Sequence, residues 1–262
     1  MKRFKTYMLA VAAVSLGFSP LLTAQAKTIG WGIPRAENEQ QPWPGQEYDE
    51  IIRNNDAFYI GSPDEKVVYL TFDAGFENGN MPAILDALKD GEAPGLFFLT
   101  GHFMNTHPEL VQRMVDEGHI VGNHTFHHPD LTKVSREKFN EELKLIEDKY
   151  KDITGLEMVR YLRPPEGHFN QQMLDWAKDS GYYTIMWSLA YVDWKTDQQK
   201  GERHALDQVM ARLHPGAIIL LHSTSSDNGQ AMDDIIKAIK EKGYEFKSIQ
   251  YLMTSDLPEP ME

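Results

Sequence analysis

The stretch YLTFDAGFEN, residues 69–78, joins a run of apolar side chains to a carboxylate at the point where the run ends. Residues 67–72, VVYLTF, are all β-branched, aromatic or aliphatic, a composition typical of a strand buried on both faces of a sheet. Asp73 follows directly, and Gly75 favours a turn soon after it. The stretch therefore predicts a buried parallel strand that presents a carboxylate at one edge of the sheet.

Similar apolar runs recur along the chain and alternate with helical patterns. Because a parallel crossover needs a connection of helix length, this alternation predicts β/α units around a parallel sheet, either a barrel or an open doubly wound sheet. No glycine-rich phosphate loop follows any run, which makes a nucleotide-binding fold the weaker interpretation. The predicted strands are 67–72, 95–100, 119–124, 159–163, 183–189, 217–222 and 244–249. The predicted helices are 81–91, 107–118, 135–155, 170–181, 202–216 and 232–243.

The composition excludes some kinds of site and permits others. With 262 residues, of which 41% are hydrophobic, the chain is expected to bury a sizeable core as one large domain or two small ones. It contains no cysteine, so no disulfide forms and any metal must be bound by His, Asp or Glu. Ten histidines leave room for such a site.

The first 26 residues have the pattern of a secretory signal peptide. A basic start, residues 1–5, precedes an apolar run over residues 8–18, and Ala24-Gln25-Ala26 provides a small-x-small cleavage site. We expect cleavage and no stable membrane insertion afterwards, with retention as an anchor as the alternative. Cleavage removes three basic and no acidic residues and changes the formal net charge from −13 to −16. Nucleic acid and anionic lipid are therefore poor partners.

Polar side chains recur at the carboxyl ends of the predicted strands, where β/α barrels carry their active sites. Such a set suits metal-assisted hydrolysis of an amide or ester: two imidazoles hold a divalent ion, a carboxylate takes a proton from water, and another His protonates the leaving group. Each residue alone also has a structural explanation, such as loop capping or a hydrogen-bonded core position. The residues are Asp73, His124, His127, His128, Arg163, Asp193, Trp194 and His222.

Five ordered motifs resemble those of the NodB-homology polysaccharide deacetylases. Residues 27–65, which are rich in Pro, Gly, Asn and Gln, indicate an N-terminal extension packed on the domain. The resemblance implies a single α/β domain, a distorted (β/α)7 barrel over residues 66–255. It also implies that a divalent metal, usually zinc, assists removal of acetyl groups from sugars. The motifs are TFD (71–73), HTFHHP (124–129), RPPEG (163–167), DW (193–194) and LLH (221–222).

Longer segments, including FDAGFENGN (72–80) and WSLAYVDWKTDQQKG (187–201), resemble the sporulation-type de-N-acetylases that lead to muramic δ-lactam in spore cortex. This branch implies a secreted monomer that acts on N-acetylmuramic acid of the peptidoglycan glycan strand, in the cell wall or the spore-cortex compartment. Two alternatives remain. One is a de-N-acetylase of N-acetylglucosamine in peptidoglycan or chitin-like glycans, and the other is a catalytically silent glycan-binding module.

The resemblance also implies catalytic roles. Asp73 matches the catalytic base, and Arg163 matches the arginine that orients it. His222 matches the general acid, and Asp193 the residue that tunes it.

Metal and substrate contacts are implied in the same way. His124 and His128 match the metal ligands, but Ala74 stands where many family members have a further Asp ligand. A weakly held metal is therefore expected. The implied substrate-binding residues are Trp194 as an aromatic wall and the Pro165-Glu166 turn, in which the Glu166 N–H matches the oxyanion donor, while His127 matches no motif role.

Overall fold

A curled parallel sheet forms the centre of the molecule. The structure is a computed structural model that describes residues 27–255, so the predicted signal peptide at residues 1–26 lies outside the described residues. Its strands are β1 (Ile29–Gly30), β2 (Ala57–Phe58), β3 (Val67–Ala74), β4 (Gly95–Leu99), β5 (Ile120–Asn123), β6 (Tyr161–Leu162), β7 (His168–Phe169), β8 (Tyr183–Ile185), β9 (Ala217–His222) and β10 (Glu245–Phe246). Its helices are α1 (Gln46–Arg53), α2 (Met81–Asp90), α3 (Gly101–Thr106), α4 (Pro108–Asp116), α5 (Arg136–Thr154), α6 (Gln171–Asp179), α7 (Glu202–Met210), α8 (Ser226–Glu241) and α9 (Ile249–Ser255).

The main sheet has the strand order β10-β3-β4-β5-β6-β8-β2, and β9 pairs with β3. Every strand pair in this sheet is parallel. Beyond β8, a parallel bridge from Leu189 to Ile219 of β9 brings the two sides of the curled sheet together. The predicted α/β fold, a distorted (β/α)7 barrel, is confirmed, and the open doubly wound alternative is wrong.

The N-terminal segment packs on this barrel and also supplies one of its strands. β2 pairs with β8, and an antiparallel bridge from Ile60 to Ala217 carries the segment on to β9. β1 pairs with β7 in a separate antiparallel sheet. The sequence analysis did not predict β1, β2 or β7, each of which has two residues.

Side chains alternate across β3, and this alternation separates its last two residues. Leu70, Phe72 and Ala74 belong to the apolar core that β3 shares with α2 and α8. Phe72 stacks on Phe97 of β4, with ring centroids 4.8 Å apart. Asp73 points to the other face. The strand therefore buries one face against helices and presents its carboxylate inside the barrel.

Several helices differ from the prediction. α7 ends at Met210, six residues before the predicted end at residue 216. α8 begins at Ser226, six residues before the predicted start at residue 232, because the Ser225 hydroxyl accepts a hydrogen bond from the Asn228 N–H at 3.2 Å. α3 was not predicted, since its six residues are too few for a periodic pattern. Within residues 27–255, no helix is both long enough and apolar enough to cross a membrane.

Candidate active site

A cleft of about 1070 Å³ opens at the carboxyl ends of the barrel strands. Six of the nine predicted site residues line it, namely Asp73, His124, His128, Glu166, Trp194 and His222. The other three are buried, namely Pro165, Arg163 and Asp193. The strand-end pattern thus brings together residues that are up to 149 positions apart in the sequence.

Asp73 and His222 hold corresponding positions on neighbouring strands. They are register partners in the parallel pair of β3 and β9. Side chains of such partners project to the same face of a sheet. Sheet pairing, rather than a loop, therefore fixes these two groups relative to each other.

A buried guanidinium holds the Asp73 carboxylate. Arg163 is completely buried, and its Nη1 donates to Asp73 Oδ1 at 2.8 Å. Its Nε and Nη2 donate to the carbonyl oxygens of Ile185 and Met186, each at 3.0 Å, and its guanidinium lies 4.3 Å from the centre of the Phe98 ring. Burial acts to raise the pKa of Asp73, but Arg163, with the nearby histidines, keeps that pKa below its usual value. The carboxylate is therefore ionised and can accept a proton.

His124 and His128 lie side by side in the cleft, with ring centroids 4.9 Å apart and ring planes at 73°. His124 Nδ1 lies 2.9 Å from the Arg163 carbonyl oxygen; when it carries the proton it donates there and leaves Nε2, which lies 3.6 Å from Asp73 Oδ2, with a free lone pair. Burial lowers the pKa of both rings, that of His124 to about 4. Both imidazoles are thus neutral near pH 7, as metal ligands must be.

This pair fits two coordination positions of a borderline divalent ion such as zinc. Within residues 27–255, no group of three or more His, Cys, Asp or Glu side chains is arranged to hold a metal ion. Ala74 supplies no donor, and its methyl group packs in the core instead of lining the cleft. Water and substrate would have to complete the coordination of a metal held by His124 and His128.

The loop that carries both histidines is held by buried polar groups. Thr125 and His128 have left-handed backbone conformations, with φ of 65° and 57°, which are unfavourable for residues other than glycine. The Thr125 N–H donates to Asn123 Oδ1 at 2.9 Å. The completely buried Glu142 of α5 accepts from the His127 N–H at 2.7 Å and from His127 Nδ1 at 2.8 Å. His127, which matched no motif role, therefore ties the loop to α5.

On the other side of the cleft, His222 is joined to Asp193. His222 Nδ1 and the His222 N–H donate to the two carboxylate oxygens of Asp193, each at 2.8 Å. Asn228 Nδ2 donates to Asp193 at 2.7 Å, and the Tyr191 hydroxyl donates to Asn228 Oδ1. Burial lowers the pKa of His222, but the carboxylates of Asp193 and Asp73 together outweigh burial, so the pKa is raised. A protonated His222 can act as an acid in the cleft.

The predicted substrate contacts differ in their positions. Trp194 is half-exposed, with its ring 5.6 Å from that of His222. Glu166 has a left-handed backbone, with φ of 57°, and its carboxylate lies 3.3 Å from His168 Nδ1. Pro165 is buried and does not line the cleft, so a direct contact with substrate is not supported and its role is to shape the turn. Gly167 follows, where an added Cβ would lie 2.6 Å from Trp187.

Several residues of the cleft and its supports were missed from the sequence. They share no motif and come from the N-terminal segment, from loops and from helices. Only two of them lie near a motif in the sequence: Phe76 near TFD and Trp187 near DW. The missed residues are Trp31, Phe76, His102, Glu142, Trp187 and Asn228.

Comparison with known proteins places these features in a family context. The family model for polysaccharide deacetylase matches residues 60–185. The chain is 48% identical over 225 residues to peptidoglycan-N-acetylmuramic acid deacetylase PdaA of Bacillus subtilis, covering 86% of each protein. It is 33% identical over 198 residues to a peptidoglycan-N-acetylglucosamine deacetylase of Bacillus cereus, covering 74% of this chain and 70% of the relative.

Solved structures show the same similarity. The structure of Bacillus subtilis PdaA, a family 4 carbohydrate esterase, matches with a TM-score of 0.86 and 47% identity, over 88% of this chain and 99% of that one. A family 4 carbohydrate esterase from Bacillus anthracis matches with a TM-score of 0.74 and 41% identity, over 88% of this chain and 98% of that one.

Proposed function

The chain belongs to the polysaccharide deacetylase family, and from that premise we propose that it hydrolyses the acetamide of N-acetylmuramic acid in peptidoglycan. It is a peptidoglycan de-N-acetylase, so the alternative of a catalytically silent binding module is wrong. The observation that carries the proposed mechanism is the pairing of Asp73 with Arg163 and of His222 with Asp193 around one cleft. One pair supplies an ionised carboxylate and the other a protonated imidazole.

Asp73 acts as the general base. Its Oδ1 is occupied by Arg163, whereas Oδ2 faces His124. Oδ2 takes a proton from the water that attacks the acetamide carbonyl carbon. Arg163 cannot accept that proton, because a guanidinium does not lose its charge in a protein.

His222 completes the reaction as the general acid. As the C–N bond breaks, its Nε2 donates a proton to the departing sugar nitrogen, which leaves as an amine, while the acetyl group leaves as acetate. Asp193 holds Nδ1 and thereby aims Nε2. The Glu166 N–H, on the turn that lines the cleft, donates to the oxyanion that develops on the carbonyl oxygen. A divalent ion held by His124 and His128 would polarise the carbonyl and lower the pKa of water.

The preference for muramic residues is supported by the 48% identity to a deacetylase named for N-acetylmuramic acid. That sugar carries an anionic lactyl group on C3, next to the reacting C2 acetamide. Glu166 opposes this group, since its carboxylate is at the rim of the cleft and 65% of its side-chain surface is exposed. His168, 3.3 Å away, offsets part of that negative charge when it is protonated.

The decisive experiment follows acetate release from glycan strands whose stem peptides have been removed. Mass spectrometry of the digested product locates each lost acetyl group on a muramic or a glucosamine residue. We expect the muramic residues to lose acetate, with Asp73→Asn as the inactive control. Loss of acetate from glucosamine alone would refute the muramic assignment and leave the deacetylase function in place.

A second candidate substrate, N-acetylglucosamine in peptidoglycan or chitin-like glycans, is favoured by the Glu166 carboxylate at the cleft rim. This sugar lacks the lactyl group, so it meets no like charge there. Chitin oligomers of matched length decide between the two. A higher kcat/KM on these oligomers than on muramic strands would establish the second candidate.

We further propose that the protein is secreted and acts as a monomer in the cell wall or spore cortex, where the freed amine closes on the lactyl carboxyl to give muramic δ-lactam. The support is the basic and apolar N-terminal pattern of residues 1–26 and the resemblance to the sporulation-type branch. Muramic lactam, measured in the same digests, tests ring closure. Zinc is the proposed metal, held weakly because the protein offers it two imidazoles.

A further inference from the structure

Phe76 is an aromatic residue that the sheet leaves uncovered. It follows β3 by two residues, and 55% of its surface is exposed. Its ring stacks on His102 of α3, with centroids 5.9 Å apart and planes at 11°. Both rings line the cleft that contains Asp73. The stack fixes the orientation of the Phe76 ring, and His102 covers only one of its two faces.

Polar contacts fix the loop that carries this ring. The Glu77 carboxylate accepts from the Gly79 N–H at 2.5 Å, and Asn78 Nδ2 donates to the Thr224 carbonyl oxygen at 2.9 Å. Asn80 Nδ2 donates to Asn78 Oδ1 at 2.8 Å. The loop is thereby joined to the segment after β9 that follows His222. Exposure of Phe76 is therefore built into the fold and does not result from a loose loop.

We propose that Phe76 and His102 form a sugar platform, a subsite that binds the pyranose ring of a residue next to the reacting sugar in the same glycan strand. The inference rests on the proposed deacetylation of peptidoglycan strands. The cleft continues from Asp73 to both rings without a break, and Trp194 is the other strongly exposed aromatic in it. A strand that passes the catalytic groups thus meets an aromatic ring besides Trp194.

A pyranose is the ligand that the chemistry of this platform fits. One face of such a ring presents C–H groups, which pack on an aromatic face, while its hydroxyls point outward at the edge. Asn105 lies three residues after His102, on the same side of α3, and lines the cleft. Its exposed amide can both donate to and accept from sugar hydroxyls. The aromatic face of the platform therefore matches the C–H face of a pyranose, and the Asn105 amide matches its hydroxyl groups.

The test compares Phe76→Ala with Trp43→Ala in the full chain. Trp43 is a matched control because it is 62% exposed and does not line the cleft. The substrates are peptide-free glycan strands, from disaccharides to long strands. We expect Phe76→Ala to lower kcat/KM on long strands by about five- to tenfold, mainly through KM, with a smaller loss on disaccharides. Trp43→Ala should match the parent protein on all lengths.

Two further measurements keep the result decisive. Phe76→Tyr retains the ring and should restore activity on long strands, which separates loss of the platform from loss of the fold. Calorimetry with chitin oligomers, in an Asp73→Asn background, measures binding without turnover and should show weaker binding when Phe76→Ala is added. Equal kcat/KM for Phe76→Ala and Trp43→Ala on long strands, or equal binding in calorimetry, would overturn the platform. An absence of acetate release by the parent protein would instead refute the proposed function, and calorimetry would still decide the platform.

Discussion

Replacement of Asp193 by Asn is expected to make His222 a poor acid while the hydrogen-bond network around residue 193 keeps its arrangement. Asp193 Oδ1 accepts from His222 Nδ1 at 2.8 Å, and Oδ2 accepts from both the His222 N–H at 2.8 Å and Asn228 Nδ2 at 2.7 Å. An amide has only one oxygen. Because two N–H donors meet at Oδ2, the Asn oxygen should take that place. The Asn NH2 group then faces His222 Nδ1, which must become an acceptor.

A His222 ring that accepts at Nδ1 carries its proton on Nε2 as a neutral imidazole, which is a far weaker acid than imidazolium. A hydrogen bond to a charged group contributes about 1.5–3 kcal/mol, a factor of about 10–150. General acid catalysis as a whole contributes about 10²–10⁴-fold. We therefore expect kcat to fall by about a hundredfold or more near neutral pH, with a smaller change in KM.

The pH profile gives an independent check of the sign. His222 must be protonated to act as the acid, so activity is lost as the pH rises through its pKa. Burial lowers that pKa, but the carboxylates of Asp193 and Asp73 together raise it above its usual value. Without the Asp193 charge the pKa should fall, and the alkaline limb of the profile should move to lower pH.

Acetate release from peptide-free glycan strands, followed across the pH range, measures both effects. Asp233→Asn is a matched control, since Asp233 is an exposed residue of α8 that pairs with Lys237 one turn later. Circular dichroism confirms that each variant is folded. If Asp193→Asn stays within a few-fold of the parent protein and its alkaline limb does not move, Asp193 does not tune the acid and the assignment of His222 is wrong.

Four substitutions and metal chelation test the remaining groups. Chelation and His128→Ala should each abolish acetate release and, by calorimetry, zinc binding; full activity in metal-free protein would exclude the metal. Asp73→Asn keeps an oxygen for Arg163 but cannot take a proton, so kcat should fall by about a hundredfold or more with the fold intact, and a loss of only a few-fold would make Asp73 structural. Arg163→Met leaves the Asp73 carboxylate buried without its partner and should lower the free energy of unfolding in urea by about 3–5 kcal/mol; a change below about 1 kcal/mol would contradict this. Glu166→Gln should raise kcat/KM on muramic strands by about two- to fivefold at low salt, with no rise on neutral chitin oligomers, and an equal rise on both would exclude a charge effect.

The alternation of apolar runs and helical patterns predicted β/α units around a parallel sheet, and the family resemblance then implied the barrel. β3 and β9 are almost entirely buried runs of eight and six residues, and the cleft is lined by Asp73, the last but one residue of β3, and by His222, the last residue of β9. The parts that were not predicted are short. β2 has two residues and α3 has six, so neither shows a pattern before tertiary contacts form.

The sequence predicted those residues of the candidate site that belong to the five motifs. Arg163 and Asp193 contact Asp73 and His222, the residues with which the family resemblance pairs them, and both are fully or almost fully buried. Asn228 and Glu142 were missed because they lie on α8 and α5, outside the motifs, and only folding brings their side chains to Asp193 and His127. A buried Glu in a helix has no local signature that distinguishes it from a solvated one.

The identity of the residue after Asp73 follows from the same geometry. Because side chains alternate along β3, the position that presents the base to the cleft leaves its neighbour in the core, and Ala74 is completely buried there. A shift of β3 by one residue against β9 would place Ala74 in register with His222 and remove Asp73 from Arg163. Under the proposed mechanism, the pairing of β3 with β9 is thus needed for catalysis as well as for the fold. The apolar run before Asp73 opposes such a shift, because a shift of one residue would turn Leu70 and Phe72 away from the helices.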